Sequence, residues 1–138
     1  MDTELFLDTA FAIALANAKD EFHPKAVQLA GQLRAEKTKL VTTRAVLLEI
    51  GNALSGLRFR ASAVQLLDAL ESDPTVGIVP VTDELYRQAF LLYRTRHDKE
   101  WGLIDCLSFV VMNERRLVGA LTTDIHFQQA GYRVLLRE

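Results

Sequence analysis

Short apolar runs alternate with helical patterns along this 138-residue chain, and that alternation limits the fold more than any other feature. Residues 5–7, 40–42, 76–81, 118–122 and 132–136 read as strands: short, apolar and bounded by polar or turn-forming residues. Pro80 places the end of the third strand rather than its middle, because proline cannot donate to a sheet ladder. Helical patterns fill the gaps. A short helix starts near Ala10, and a second enters at His23-Pro24 and ends near Lys37. Thr43 can cap a third that begins at Arg44 or Ala45. A fourth spans 61–70, with Val64, Leu67 and Leu70 along one face. Thr82 caps a fifth whose first turn carries Asp83 and Glu84, where acids complement the helix dipole. The stretch 103–115 is apolar nearly all round and predicts a buried central helix. Strands that alternate with helices imply an α/β sandwich around a largely parallel sheet. Sites in such sheets lie beyond the carboxyl ends of the strands.

Four acids stand at informative places in this pattern. Asp8 ends the run Leu5-Phe6-Leu7, and Asp124 ends Val118-Gly119-Ala120-Leu121-Thr122-Thr123. Glu49 and Asp105 interrupt the apolar helical stretches Ala45-Val46-Leu47-Leu48-Glu49-Ile50 and Leu103-Ile104-Asp105-Cys106-Leu107. A carboxylate among apolar neighbours is costly to bury without a partner. Four together suggest one acidic pocket that holds a divalent cation. Two-metal hydrolysis of a phosphodiester needs such hard oxygen ligands and no serine or cysteine nucleophile. The three histidines, His23, His97 and His126, have no Ser or Cys partner in a recognisable motif.

Each acid also has an ordinary explanation. Asp8 and Asp124 can be helix N-caps after strands, and Glu49 can lie on a half-exposed helix face. Asp105, three residues after Gly102, can complement a helix dipole in a first turn. Asn52 follows Glu49 by three residues and Ser108 follows Asp105 by three, so each pair shares a helix face. Thr9 and Thr123 adjoin the strand-end acids; all four polar residues can equally be satisfied by nearby backbone.

Composition narrows the class. The length suits a single domain spanning 1–138, and 49% hydrophobic with 25% charged residues suits a globular protein. No apolar run is long enough to span a membrane, and Asp2 and Glu4 argue against a signal peptide. A single cysteine, Cys106, excludes an internal disulfide and a multi-cysteine zinc site, so a cytoplasmic location is expected. The net charge of −2 argues against a nucleic-acid-coating protein but not against a metal nuclease. Beyond the four acids of the constellation, the remaining 14 of 18 acidic residues are outnumbered by 16 Lys and Arg.

Four segments carry a family resemblance: Phe6-Leu7-Asp8-Thr9, Leu48-Glu49-Ile50-Gly51-Asn52-Ala53-Leu54, the stretch from Asp98 to Phe109, and Leu121-Thr122-Thr123-Asp124-Ile125-His126-Phe127 followed by Gly131-Tyr132. In their order and spacing they resemble the PIN-domain ribonucleases, most closely VapC-type toxins of toxin–antitoxin pairs. The resemblance implies a three-layer α/β/α sandwich. It implies that Asp8, Glu49, Asp105 and Asp124 are catalytic and bind Mg2+ or Mn2+, with Thr9, Asn52, Ser108 and Thr123 in support. It further implies endonucleolytic hydrolysis of RNA to 5′-phosphate and 3′-hydroxyl ends, a homodimer, and silencing by a VapB-like antitoxin. Asp98 matches an outer, structural acid. This chain departs from the family where Gly102 and Ile104 stand at positions often held by Ser and Thr, and a helix cap or a substrate contact is at stake there.

Arg44, Arg58, Arg60 and Lys99 are the expected RNA contacts, with Arg94 and Arg96 as further candidates. Trp101 can stack on a base or seal the core. His126 is expected to pack or hydrogen-bond rather than ligate a hard cation, and Cys106 to fill core space. Two rival readings remain: a non-catalytic PIN-type scaffold that binds RNA or protein, and a phosphorylatable receiver-like domain. The receiver pattern usually pairs two acids after its first strand and ends its last strand in lysine. Here a single Asp8 follows the first strand, and no lysine occurs in the last.

Overall fold

The structure, a computed structural model, describes residues 3–138. Asp2, invoked above against a signal peptide, lies outside the described residues. The strands are β1 (Glu4–Leu7), β2 (Lys39–Thr43), β3 (Val76–Val79), β4 (Gly119–Leu121) and β5 (Arg133–Val134). The helices are α1 (Thr9–Ala16), α2 (His23–Glu36), α3 (Arg44–Ala53), α4 (Leu57–Ser72), α5 (Asp83–Thr95), α6 (Leu103–Glu114) and α7 (Ile125–Gln129), and a short 3-10 turn, Leu135–Arg137, follows β5. The sheet runs β3-β2-β1-β4-β5 with every pairing parallel. Parallel neighbours require crossover helices, and these cover both faces of the sheet to make the three-layer α/β/α sandwich.

The strand order reverses beside β1. From β1 the chain steps outward to β2 and β3, then returns to the other side of β1 for β4 and β5. Crossovers on either side of such a point lie on opposite faces, leaving a crevice at the carboxyl ends of β1 and β4. The helix contacts fall into two groups, with α1 against α2, α3 and α4 and α3 against α4 in one, and α6 against α5 and α7 in the other.

Burial explains why β1 is central. Leu5, Phe6 and Leu7 are all buried, as expected of a strand covered on both faces. Helix α6 buries Cys106, Leu107, Ser108, Phe109, Val111 and Met112, in keeping with its nearly all-apolar sequence. Phe109 packs edge-on against Trp101 and Phe127, with ring centroids 5.0 and 4.9 Å apart. This aromatic cluster ties α6, which carries Asp105, to α7, which Asp124 immediately precedes. No helix among the described residues is long and apolar enough to cross a membrane.

Three expected elements shift at their edges, and β3 ends at Val79, just before Pro80, instead of at Val81. Helix α4 begins at Leu57, four residues before the amphipathic stripe suggests, because its first turn faces solvent and Gly56 forms the N-cap. The last strand keeps only Arg133–Val134 in the ladder, and Leu135 and Leu136 turn away into the 3-10 segment with both side chains buried.

Candidate active site

Asp8, Glu49, Asp105 and Asp124 line one recess of about 640 Å3, together with Thr9, Thr123, His126 and Arg137. The sheet topology produces this convergence. Asp8 sits one residue past β1, and its backbone N–H reaches across to Leu121 O of β4 at 3.2 Å. Asp124 follows β4 and caps α7, its Oδ1 accepting from His126 N–H at 2.8 Å. Glu49 and Asp105 come from α3 and α6.

Each carboxylate is held by a specific contact. Thr122, buried at the end of β4, donates its hydroxyl to Asp8 Oδ2 at 2.7 Å and accepts from Asp124 N–H at 3.1 Å. One hydroxyl therefore links the two strand-end acids. Thr9 Oγ1 donates to Glu49 Oε1, tying the start of α1 to α3. Asp105, the third residue of α6, accepts from the Gly102 N–H at 3.1 Å. His126 Nδ1 lies 3.1 Å from Asp105 Oδ2 and 3.4 Å from Asp124 Oδ1. Asp8 stands at the N-cap of α1 without a capping bond to the second or third residue of the helix, although the Thr9 N–H at the helix start helps to stabilise its carboxylate. Asp8 also lines the recess.

The electrostatics follow from burial and crowding. Burial pushes the Asp8 carboxyl up to about 7; the Thr122 hydrogen bond opposes the shift, and the Asp105 and Glu49 charges add to it. Burial also raises Asp105, against the hydrogen bonds from His126 and Gly102. Cys106 is fully enclosed and its thiol is raised to about 11, again by burial, so the site has no thiolate near neutral pH. The donors that can meet a cation are carboxylate oxygens and one imidazole: ligand atoms of Asp105, Asp124 and His126 lie within 4.8 Å of one another. Carboxylate-rich sets suit hard divalent ions.

Not every expected neighbour reaches the recess. Asn52 is exposed and outside its lining, whereas Ala53 lines it: four residues from Glu49 returns closer to the same helix azimuth than three. Ser108 is buried and donates to Ile104 O at 3.1 Å, a local bond within α6. Asp98 is the outer acid its position suggests, its two oxygens accepting from Arg96 at 3.0 and 3.2 Å.

None of Arg44, Arg58, Arg60 and Lys99 lines the acidic recess. Arg44 pairs with Glu71, Arg58 lies over the Phe59 ring, and Arg60 donates to Ser55 O. Lys99 borders a separate hollow with Phe90, Tyr93, Arg94, His97 and Trp101. Trp101 is only 5% exposed, with its indole N–H on Gln129, so it seals the core and offers too little ring for a base. Thr122, His126 and Arg137 gain their roles from tertiary neighbours. In the sequence Thr122 reads as a strand former and Arg137 as a terminal surface cation. Only His126, two residues from Asp124, carries a local hint.

The PIN domain family model matches residues 5–131. The chain is 32% identical over 129 residues to the 23S rRNA-specific endonuclease VapC20 of Mycobacterium tuberculosis, covering 93% of this chain and 95% of that one. The crystal structure of VapC20, described as a Sarcin-Ricin loop cleaving toxin, superposes with a TM-score of 0.80 at 29% identity, again over 93% of this chain and 95% of that one. VapBC2 from Rickettsia felis, bound to a DNA fragment from its promoter, shares the fold with a TM-score of 0.65 at 16% identity over 95% and 96% of the two chains. With the family model spanning nearly its whole length and a VapC relative aligned end to end, this chain belongs to the PIN-domain family and to its VapC branch.

Proposed function

We propose that this chain is an Mg2+- or Mn2+-dependent endoribonuclease, the toxin of a toxin–antitoxin pair. The observation that carries the reading is the meeting of Asp8, Glu49, Asp105 and Asp124 in one recess at the reversal of strand order. The donor chemistry fits a hard divalent ion, because the recess gathers carboxylates and the sole thiol is enclosed and protonated. Asp8, Glu49, Asp105 and Asp124 would hold it. Such an ion supplies Lewis-acid polarisation of a phosphate and a more acidic water at neutral pH.

The chain's own residues then do the positioning. Thr9 fixes the rotamer of Glu49, and Thr122 fixes Asp8 and the backbone of Asp124. His126 and the Gly102 N–H orient Asp105. The expected products are a 5′-phosphate and a 3′-hydroxyl. VapC20 is named for cleavage of 23S rRNA, and the end-to-end similarity makes that RNA the first substrate to test here. The VapC resemblance also supports a homodimer, a cytoplasmic setting and a VapB-like antitoxin, whose basic side chains the acidic recess would attract.

The decisive test maps new 5′-phosphate ends in ribosome-containing total RNA incubated with the chain and Mn2+. Chelator and Asp105→Asn serve as controls. Sharp, metal-dependent ends that vanish in the variant support the enzyme. RNA bound but never cut would favour the non-catalytic scaffold.

A further inference from the structure

Arg137 is the only Lys or Arg that lines the acidic recess among the described residues. It is also well fixed for a residue so near the end of the sequence. Leu135 and Leu136 are buried at 6% and 3% exposure and anchor the 3-10 turn that carries it. Arg137 Nε donates to the backbone O of Thr123 at 2.5 Å, in the segment that leads to Asp124. Its guanidinium carbon lies 5.4 Å from the centroid of the Phe22 ring. These contacts use Nε and one face of the guanidinium. Arg137 makes no salt bridge to any carboxylate among the described residues, although it shares a recess with four. A neighbouring hollow shares Ala10, Ile13 and Thr123 with the recess and is otherwise lined by Asp20, Glu21 and Phe22, so Arg137 is the cation between two acidic stretches of surface.

We propose that Arg137 forms a phosphate subsite on the rim of the recess, gripping a backbone phosphate of single-stranded RNA so that the neighbouring linkage enters among the carboxylates. The inference rests on the nuclease reading and names the group that draws an anionic substrate towards an anionic pocket. Four carboxylates repel RNA, and a guanidinium beside them gives the polyanion a local foothold. The terminal nitrogens of Arg137 remain for the paired hydrogen bonds that guanidinium makes to phosphate oxygens. The contacts to Thr123 and Phe22 restrict the side chain before RNA arrives, which lowers the entropic cost of forming those bonds.

The test is RNA binding with chelator present, which removes cleavage from the readout. Fluorescence anisotropy of a short labelled polyuridylate is followed across a salt series for the wild type, Arg137→Ala and Arg137→Lys, with thermal melts of each. Arg137→Ala is expected to weaken binding about tenfold. It should also reduce the slope of log affinity against log salt by roughly 0.7, the value for one phosphate contact on a single strand. Arg137→Lys should restore the slope and only part of the affinity, because charge returns without the planar fork. A purely structural Arg137 would lower the melting temperature and leave the slope unchanged. Equal affinity and slope in the wild type and Arg137→Ala would overturn the subsite, as would a wild type that binds no polyuridylate. Metal-dependent cleavage of total RNA by the wild type would show in either case that the nuclease reading stands apart from it.

Discussion

Asp8 carries the largest electrostatic burden in the recess, and stability should register it. Burial holds its pKa in the folded chain up to about 7, against 3.8 for a freely solvated aspartate. Between those values the folded chain holds a proton that the unfolded chain has released, so the contribution of Asp8 to stability is fully present below about pH 4 and is lost as pH rises through about 7. Without metal, Asp8→Asn should therefore be more stable than the wild type at pH 7.5, by on the order of 2 kcal/mol. The advantage should shrink towards pH 4. Thermal melts of the two proteins across pH in chelator check this, and a difference that does not change with pH would refute the assignment of strain to Asp8. The same variant should lose cleavage. Thr122→Val is the complementary test: it removes the hydroxyl that donates to Asp8 and accepts from Asp124, leaving a half-buried N–H and a buried carboxylate short of a partner. A loss of about 1–3 kcal/mol is expected, together with a marked loss of activity. The four acids were legible in the sequence because each breaks an apolar pattern. Thr122 was not, since a threonine at a strand end looks like ordinary strand sequence until Asp8 arrives from another strand.

At the scale of elements, the start of α6 shows how a local departure is accommodated. Gly102 occupies the N-cap with extended backbone, φ −72° and ψ 164°, open to any residue, and it offers no side-chain acceptor. The Asp105 carboxylate bonds back to the Gly102 N–H, so half of a capping box survives. A Cβ on Gly102 would meet Asp105 Oδ2 at 3.7 Å, an ordinary contact. Gly102→Ser should therefore complete the box and stabilise the chain by a few tenths of a kcal/mol. Cleavage should stay at the wild-type rate. A melting curve and a cleavage time course decide it, and a destabilised variant would mean that this turn needs glycine. The type of each strand and long helix was legible here, because period and caps are local. Thr43 and Thr82 cap α3 and α5 as their positions suggest, accepting from Val46 and Leu85 N–H. The edges of α4 and β5 were not legible. The first turn of α4 buries little, and Leu135 and Leu136 are as apolar as a strand while packing from a 3-10 turn.

At the scale of the molecule, strand order decides where chemistry can occur. The alternation of elements pointed to a parallel sheet, but nothing local in the sequence states that β4 pairs with β1 rather than with β3. That pairing brings Asp124 beside Asp8, more than a hundred residues apart in the chain, and the order became readable only through the family pattern. The arrangement concentrates acidic groups at the crevice, and on the proposed reading a bound cation would offset the cost of bringing them together. Mn2+ should consequently stabilise the whole chain. At a hundredfold excess over its dissociation constant the gain is about 2.7 kcal/mol, several degrees in melting temperature for a chain of this size. The gain should be larger at pH 7.5 than at pH 5, because protons compete with the metal at Asp8 and Asp105, whose carboxyls are both raised by burial. It should reverse on adding chelator and largely disappear in Asp105→Asn. Differential scanning calorimetry of both proteins at both pH values tests this directly. Equal stabilisation of the variant would place the ion elsewhere on the surface and detach the recess from metal binding.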